Sequence, residues 1–459
     1  MGGVWSSAVE LCIDLLLSWV SLRSAPARES GPGSRHARRS TVVEPRIRTS
    51  LVRTLPSSTA YGASDQRAKG LDRSDVENVK ALATQVSPTP QPQPTLNLDV
   101  IDCIMYILPR NDLLSIMLAC RATYSTGLRH LLRAEISVSP TNLEGFCDCL
   151  LRNRADLCTL MRRLKLRTPK YEANFDPSLI ARLTDVLSHA HFLEELDVYV
   201  AQSVLSNHPG LYQAITSLER LRVLVLTGHR IGEEAVEMVA RITSPIVKVY
   251  ARFDIALEAP DANRLLAPFV ETLQDLRLSH VVFKNVANVQ YGCVRKLDIQ
   301  FTAVQNETVN LIQLFPNLLE LRLRTHFYFE PSRVYDARPK NQQAQAQRCW
   351  PRLDFVGGSS SLIYAAGLLC GAYRLETFLV CDHIDYLAGI LMDAQPRQLV
   401  LELLLLRDDV GPLLSAFQVG APNVTDLTLT LLVYEDMAET WEDIVCWLAL
   451  QTVGARMEL

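Results

Sequence analysis

The pattern Leu-x-x-Leu-x-Leu returns along most of this chain and dictates the architecture to expect. It reads as Leu193-x-x-Leu196-x-Val198, Leu221-x-x-Leu224-x-Leu226 and Leu273-x-x-Leu276-x-Leu278. It continues as Val294-x-x-Leu297-x-Ile299, Leu318-x-x-Leu321-x-Leu323 and Val424-x-x-Leu427-x-Leu429. A short alternating run cannot bury its apolar side alone. Stacking such runs side by side gives one continuous core and a long exposed face. A binding surface is then the default expectation, and a catalytic pocket the exception.

The 459 residues would suffice for more than one ordinary domain, but a stacked array grows lengthwise around a single core, so length does not set the domain count. Hydrophobic residues make up 48% and charged residues 21%, which fits a soluble, folded majority. The formal net charge of -4 argues neither for a nucleic-acid binder nor for an acidic tail. The 11 cysteines are scattered and no CxxC pair occurs. Cys147 and Cys149, with Cys158, His189 and His191 further on, come nearest to a metal set. Residues two apart on a helix point away from each other, so buried or free thiols are favoured over zinc. Reduced cysteines place the chain in the cytoplasm or nucleus.

Residues 1–95 differ from the rest. The stretch 4–22 is apolar but carries Glu10 and Asp14 and lacks a cationic lead, which fits an amphipathic helix better than a membrane span or signal peptide. Met1-Gly2-Gly3-Val4-Trp5-Ser6 matches the loose myristoylation pattern, with Cys12 as a second acceptor, but patterns this short arise readily by chance. Membrane association is not expected. From Arg23 to Arg53 the chain is rich in Arg and Ser, and Pro88, Pro90, Pro92 and Pro94 form a spaced run. Such a segment buries little and reads as a largely disordered tail and linker.

Residues 96–137 read as a small helical module. Val100, Ile101, Ile104 and Leu108 recur at helical spacing, and Pro109 ends that helix. Asp112 is placed to cap a second helix carrying Leu113, Leu114, Met117 and Leu118, and a third runs from Thr123 to Leu132. Three short helices bury few apolar groups among themselves, so the surplus should lie against something else. A cap closing the end of the array is one possibility on spacing alone.

This run resembles an F-box, the helical module that docks on the Skp-family adaptor of SCF ubiquitin ligases. The matching features are the Leu96 opening, the Val100/Ile101/Ile104 helix, the Leu108-Pro109-Arg-x-Asp112-Leu113 turn and the Leu114-Ser-x-x-Leu118-x-Cys120-Arg121 helix, followed by Leu128 and Leu131. Asn97 stands where the family often has Pro, and Leu131 or Leu132 where it often has Trp. The resemblance places adaptor contacts on Leu96, Leu98, Val100, Ile101, Ile104, Leu108, Pro109, Leu113, Leu114, Met117 and Leu118.

After Pro140, eleven strands are expected. Their central apolar pairs are Leu164/Leu166, Leu196/Val198, Leu224/Leu226, Val247/Val249, Leu276/Leu278, Leu297/Ile299, Leu321/Leu323, Leu353/Phe355, Phe378/Val380, Leu399/Leu401 and Leu427/Leu429. Helices are expected between them, for example Ser178 to Leu187, Glu233 to Ile242 and Glu307 to Leu314, and Thr325 to Trp350 reads as a surface loop. The Asn that regular leucine-rich repeats carry after the strand is missing, with His229, Val281, Thr302 and His326 near that place. The turns must therefore satisfy their backbone groups in other ways. The region 140–459 resembles the irregular leucine-rich-repeat arrays that follow an F-box in fungal proteins. The fold expected is an α/β solenoid, an irregular leucine-rich-repeat horseshoe, preceded by a three-helix module and a disordered tail.

In a strand, the residue between two buried ones points to the opposite face. Stacked, these residues form a column reading Lys165, Asp197, Val225, Lys248, Arg277, Asp298, Arg322, Asp354, Leu379, Val400 and Thr428. The charged members are the candidates for target binding, with an apolar patch toward the C-terminal end. A solvated face carries charges anyway, so no single position is decisive. No catalytic constellation emerges. Gly357-Gly358-Ser359-Ser360-Ser361 reads as a tight turn, and His383 beside Asp382 and Asp385 makes no triad by adjacency. No cofactor or metal is implied. The expected function is a non-enzymatic substrate receptor of an SCF-type ligase, bound through the adaptor to a cullin and holding an unidentified protein target. The alternative is a repeat scaffold with no ubiquitin role.

Overall fold

The computed structural model describes residues 97–153, 155–167, 176–199, 207–227, 233–253, 259–284, 289–301, 308–325, 330–380, 383–404, 410–420 and 422–432. Leu96, Gly2, Cys12, the 4–22 stretch, the 1–95 tail, His229, Thr302, His326 and Asp382 lie outside the described residues. Residues from Asp102 onward belong to one compact unit.

Three helices open the described chain: α1 (Leu98–Ile107), α2 (Arg110–Met117) and α3 (Arg121–Arg133). Pro109 sits at the N-terminus of α2 with its fixed backbone angle, and no side chain caps that end. Asp112 lies within the first turn rather than at the cap. Cys120 begins α3, its backbone N–H donating to Thr123 Oγ1 at 3.2 Å. Gly127 brings α3 so close to α2 that a Cβ there would overlap the Met117 side chain. His130 Nε2 bonds Asp102 Oδ1 at 2.8 Å and ties α3 to the middle of α1.

The rest is an open α/β fold: one sheet of twelve parallel strands in sequence order, with a helix or turn between neighbours. The strands are β1 (Glu135–Val138), β2 (Arg163–Leu166), β3 (Glu195–Tyr199), β4 (Val223–Thr227), β5 (Lys248–Arg252) and β6 (Asp275–Ser279). They continue as β7 (Lys296–Phe301), β8 (Glu320–Thr325), β9 (Leu353–Ser359), β10 (Ala372–Val380), β11 (Gln398–Leu404) and β12 (Asp426–Leu432). The strand not foreseen is β1, inside the segment assigned to the helical module; at 4 residues it is too short to show a repeat. Helices Pro177–Ser188, Glu233–Ala240 and Thr308–Leu314 fall within two residues of their expected bounds. Along each strand one residue set is buried and the alternate set is largely accessible, so helices cover one face of the sheet and the other stays open.

The motif spacing has a backbone cause. Leu193 and Leu196 are both buried, although residues three apart on a plain strand face opposite ways. Between them the N–H groups of Glu194 and Glu195 both donate to the Arg162 carbonyl, at 2.8 and 3.0 Å. The same doubled acceptor recurs at the carbonyls of Glu194, Arg222, Val247, Gln274, Arg295, Leu319 and Arg397. Each kink absorbs one residue as a bulge does, so both flanking apolar groups turn inward.

Three strands are buried in a different phase from the one expected. In β5 the buried members are Ile246, Val249 and Ala251, not Val247 and Val249. In β9 they are Leu353 and Val356, and Gly358 follows with a positive φ of 124° against the Leu323 carbonyl. In β10 they are Leu375, Thr377 and Leu379, while Phe378 faces outward. The Gly-rich run is thus not a tight turn, since Gly357 and Gly358 lie within β9.

The expected loop between Thr325 and Trp350 contains a helix, Pro331–Gln345. It is docked by amides rather than by an apolar stripe. Gln345 Nε2 donates to the carbonyls of Ala366 at 2.8 Å and Gly367 at 3.0 Å, and its Oε1 accepts from Leu369 N–H at 3.1 Å. Asn341 accepts from Thr308 N–H at 3.0 Å and donates to the Ala365 carbonyl at 2.8 Å. Two side chains just before a strand each close on a turn carbonyl of the preceding repeat: Thr272 Oγ1 donates to the Ile246 carbonyl at 2.7 Å, and Trp350 Nε1 to that of Phe315 at 2.8 Å.

Candidate functional site

Two surfaces stand out. The first is the helical module. Among the described residues the large apolar side chains left exposed are Leu98, Val100, Ile104, Tyr106, Ile107, Leu118 and seven others spread from Leu319 to Val419. Six therefore fall between positions 98 and 118. Val100, Ile104 and Ile107 sit at helical spacing on one side of α1, and Met105 on the other is buried. Of the expected adaptor contacts, Leu98, Val100, Ile104, Pro109 and Leu118 are exposed, and Ile101, Leu108 and Leu114 are half-buried. Leu113 and Met117 do not face outward. At 5% and 3% exposure they are the core of the bundle, packed beneath α3. Ile107 was missed, although it completes the Val100/Ile104 spacing.

The second surface is the open sheet face. Strand register places Lys165, Asp197, Val225, Tyr250, Arg277, Asp298, Arg322 and Gly357 in one row, continued by Glu376, Val400 and Thr428. Lys248 belongs to the neighbouring row, opposite Val223 and Asp275, because the β5 kink falls one residue before it. Asp354 occupies the kink itself, its N–H donating to the Leu319 carbonyl, and so leaves the row. Leu379 is buried on the covered face, and Glu376 stands in its row. The expected apolar C-terminal patch is replaced by Phe378, Val380 and Val400 interspersed with Glu376 and Glu402.

Charges on this face are paired strand to strand. Lys165 Nζ meets Asp197 Oδ2 at 2.6 Å, and Lys296 Nζ meets Glu320 Oε1 at 2.7 Å. Arg277 and Arg324 share Asp298, at 3.8 and 2.9 Å. Burial holds the Asp298 carboxyl above its ordinary range, against the lowering pull of Arg324, Arg277 and Arg322. Arg322 reaches across Gly357 to Glu376 at 3.4 Å while its guanidinium stacks 4.9 Å above the Phe355 ring. A side chain at Gly357 would overlap the Phe355 ring.

This ladder of charges breaks at two strands, and each break is a depression. At β4 the outward residues are Val223, Val225 and Thr227, under a hollow of about 610 Å³ that also touches Tyr250, Lys248 and Arg277. At β9 they are Phe355, Gly357 and Ser359. A hollow of about 600 Å³ lies at the Ser359 end of that strand, lined also by Arg324, Phe378, His383 and Glu402. Ser360 Oγ lies 3.3 Å from His383 Nδ1, with Ser360 itself buried.

Burial pushes the Cys147 thiol up to about 12 and the Cys158 thiol up to about 11, so both stay protonated at neutral pH. Among the described residues no group of three or more His, Cys, Asp or Glu side chains is gathered as a metal ion would need. No helix among them is long and apolar enough to cross a membrane. A scan of the chain against known protein families and a search of curated proteins found no match.

Proposed function

We propose that this chain is the substrate-recognition subunit of an SCF-type ubiquitin ligase, its residues 96–137 acting as an F-box on a Skp-family adaptor and its sheet as an irregular leucine-rich-repeat solenoid that holds a protein target. The observation that carries the reading is the stripe of Val100, Ile104 and Ile107 with Leu118, aliphatic groups in water on a module too small to spare them. Ubiquitin transfer would be promoted by proximity, the bound target being brought to an enzyme on other subunits. The reading is tested by co-expression with a Skp-family adaptor. Wild-type chain should co-purify with it, and the double variant Ile104→Asp with Ile107→Asp should not, while keeping its thermal melt. Equal recovery of adaptor by both proteins would refute the assignment and leave the scaffold alternative.

A further inference from the structure

We infer that the open face across β4–β8 docks an acidic polypeptide segment, one apolar side chain of which sits in the uncharged break at β4. This deepens the receptor reading and depends on it only for naming the segment as the target. Three features converge.

The first is composition. On these strands the outward charged residues are the cations Lys248, Arg252, Arg277, Lys296, Arg322 and Arg324 against the carboxylates Asp275, Asp298 and Glu320. A chain of net charge -4 thus gathers an excess of positive charge on one face.

The second is depth. In the pairs made by Lys248, Arg277, Lys296 and Arg324 the cation stands proud of its partner, as with Lys248 at 56% exposed over Asp275 at 25% and Arg277 at 55% over Asp298 at 16%. Arg322 at 34% lies level with Glu376 at 41%. An approaching molecule meets ammonium and guanidinium groups first, with the carboxylates recessed between strands. Asp298 serves two guanidinium groups at once, so one retains donors for an incoming carboxylate.

The third is the break at β4, where Val223 and Val225 offer an aliphatic floor with Tyr250 beside it. Its rim carries Lys165, Lys248 and Arg277, each more exposed than the carboxylate it pairs with, Asp197, Asp275 and Asp298, and Glu195 on the far side at 34%. A side chain entering there loses water on several sides while its flanking acidic residues reach the rim. A nucleic acid suits the surface less well. The floor is aliphatic with a single aromatic ring, Tyr250, at its side, whereas a run of bases needs successive aromatic platforms.

The full-length protein is titrated into a short fluorescein-labelled peptide of glutamates around one leucine. Comparison probes carry lysine for glutamate, or glycine for the leucine, and a single-stranded oligothymidylate is run alongside. The glutamate–leucine peptide should bind, weaken as salt rises, and exceed the glycine version by about tenfold. Arg277→Glu with Arg324→Glu should cost at least about tenfold. Val225→Gln, which fills the break without charge, should make the leucine and glycine peptides equal even if the arginine variant misfolds. Equal binding of the lysine peptide or of the oligothymidylate, or no leucine preference in wild type, would overturn the inference. Loss of adaptor co-purification alone would not, because the two surfaces are read separately.

Discussion

Gln345 anchors the polar helix Pro331–Gln345, and its replacement by Leu separates hydrogen bonding from packing. The side chain is 1% exposed and engages the Ala366, Gly367 and Leu369 backbone. The Ala366 carbonyl keeps a second donor, Thr308 Oγ1 at 3.1 Å, and is not orphaned. The Gly367 carbonyl and the Leu369 N–H lose their bonds to this side chain. Each backbone group left unpaired in an apolar setting costs about 1–3 kcal/mol, so Gln345→Leu should destabilise by about 4 kcal/mol although its volume is nearly kept. Trp350, buried five residues on, reports the transition by fluorescence in urea, and amide exchange at Leu369 reports it locally. Gln345→Glu sharpens the test. A carboxylate still accepts from Leu369 but cannot donate to carbonyls, whereas a protonated carboxyl can. That variant should be worse than Leu at neutral pH and recover on acidification. A loss under about 1 kcal/mol for Gln345→Leu, with unchanged exchange at Leu369, would refute this account of how the helix is docked.

Gly358→Ala should destabilise by about 3 kcal/mol or more, since its φ of 124° and the Leu323 carbonyl both exclude a Cβ, and a urea midpoint matching wild type would contradict that. Leu113→Ala should cost about 2–5 kcal/mol in urea unfolding, whereas exposed Ile107→Asp should shift stability by no more than about 0.5 kcal/mol while abolishing adaptor capture; the opposite ranking would show the bundle is packed differently. Burial raises the carboxyl pKa of Asp298 and of Asp393, which pairs with Arg338 at 2.8 Å. The folded state therefore holds more protons than the unfolded one between the ordinary carboxyl pKa of 3.8 and the raised one. Their contribution is fully present below that window and lost as pH rises through it, so replacing both with Asn should flatten the urea midpoint against pH there, and an unaltered slope would contradict it.

Much of the fold was readable because the Leu-x-x-Leu-x-Leu motif records its own kink. Misreadings arose where a second phase looked equally good. Val247-Lys248-Val249 alternates as well as Val249-Tyr250-Ala251, and only Ile246, three residues before Val249, settles the register. In β9 the last apolar position is Gly358, which carries no hydrophobic signal, so Leu353 and Phe355 took its place. In β10 outward Phe378 resembles core, because aromatic groups on an accessible sheet face look the same in one dimension. The helix Pro331–Gln345 escaped because a search for apolar stripes cannot see one held by buried amides. At the module the spacing of Val100 and Ile104 was legible, but which residues of α2 face inward depends on Gly127 admitting Met117, a contact between helices.

Charge order along the sheet was the least legible feature, because partners such as Lys165 and Asp197 lie a full repeat apart. Once stacked, neighbouring strands carry opposite signs: Lys248 faces Asp275, which faces Lys296, which faces Glu320. Alternate strands then carry the same sign, as Lys248 does with Lys296 and Arg277 with Arg322. Exposed pairs of this kind are worth only about 0.2–1 kcal/mol each, too little to account for stability. Their sign pattern acts on selection between stackings. Pairing β5 with β7, or β6 with β8, would keep the alternation of inward apolar residues but set like charges directly opposite. Strand β4 carries no charge and β9 only Asp354 at its kink, so both fall outside this rule, and each touches a hollow of the open face. A strand released from enforcing register is free to carry uncharged outward side chains, so under the receptor reading the breaks in the ladder are the positions where substitution should change target choice with least effect on stacking.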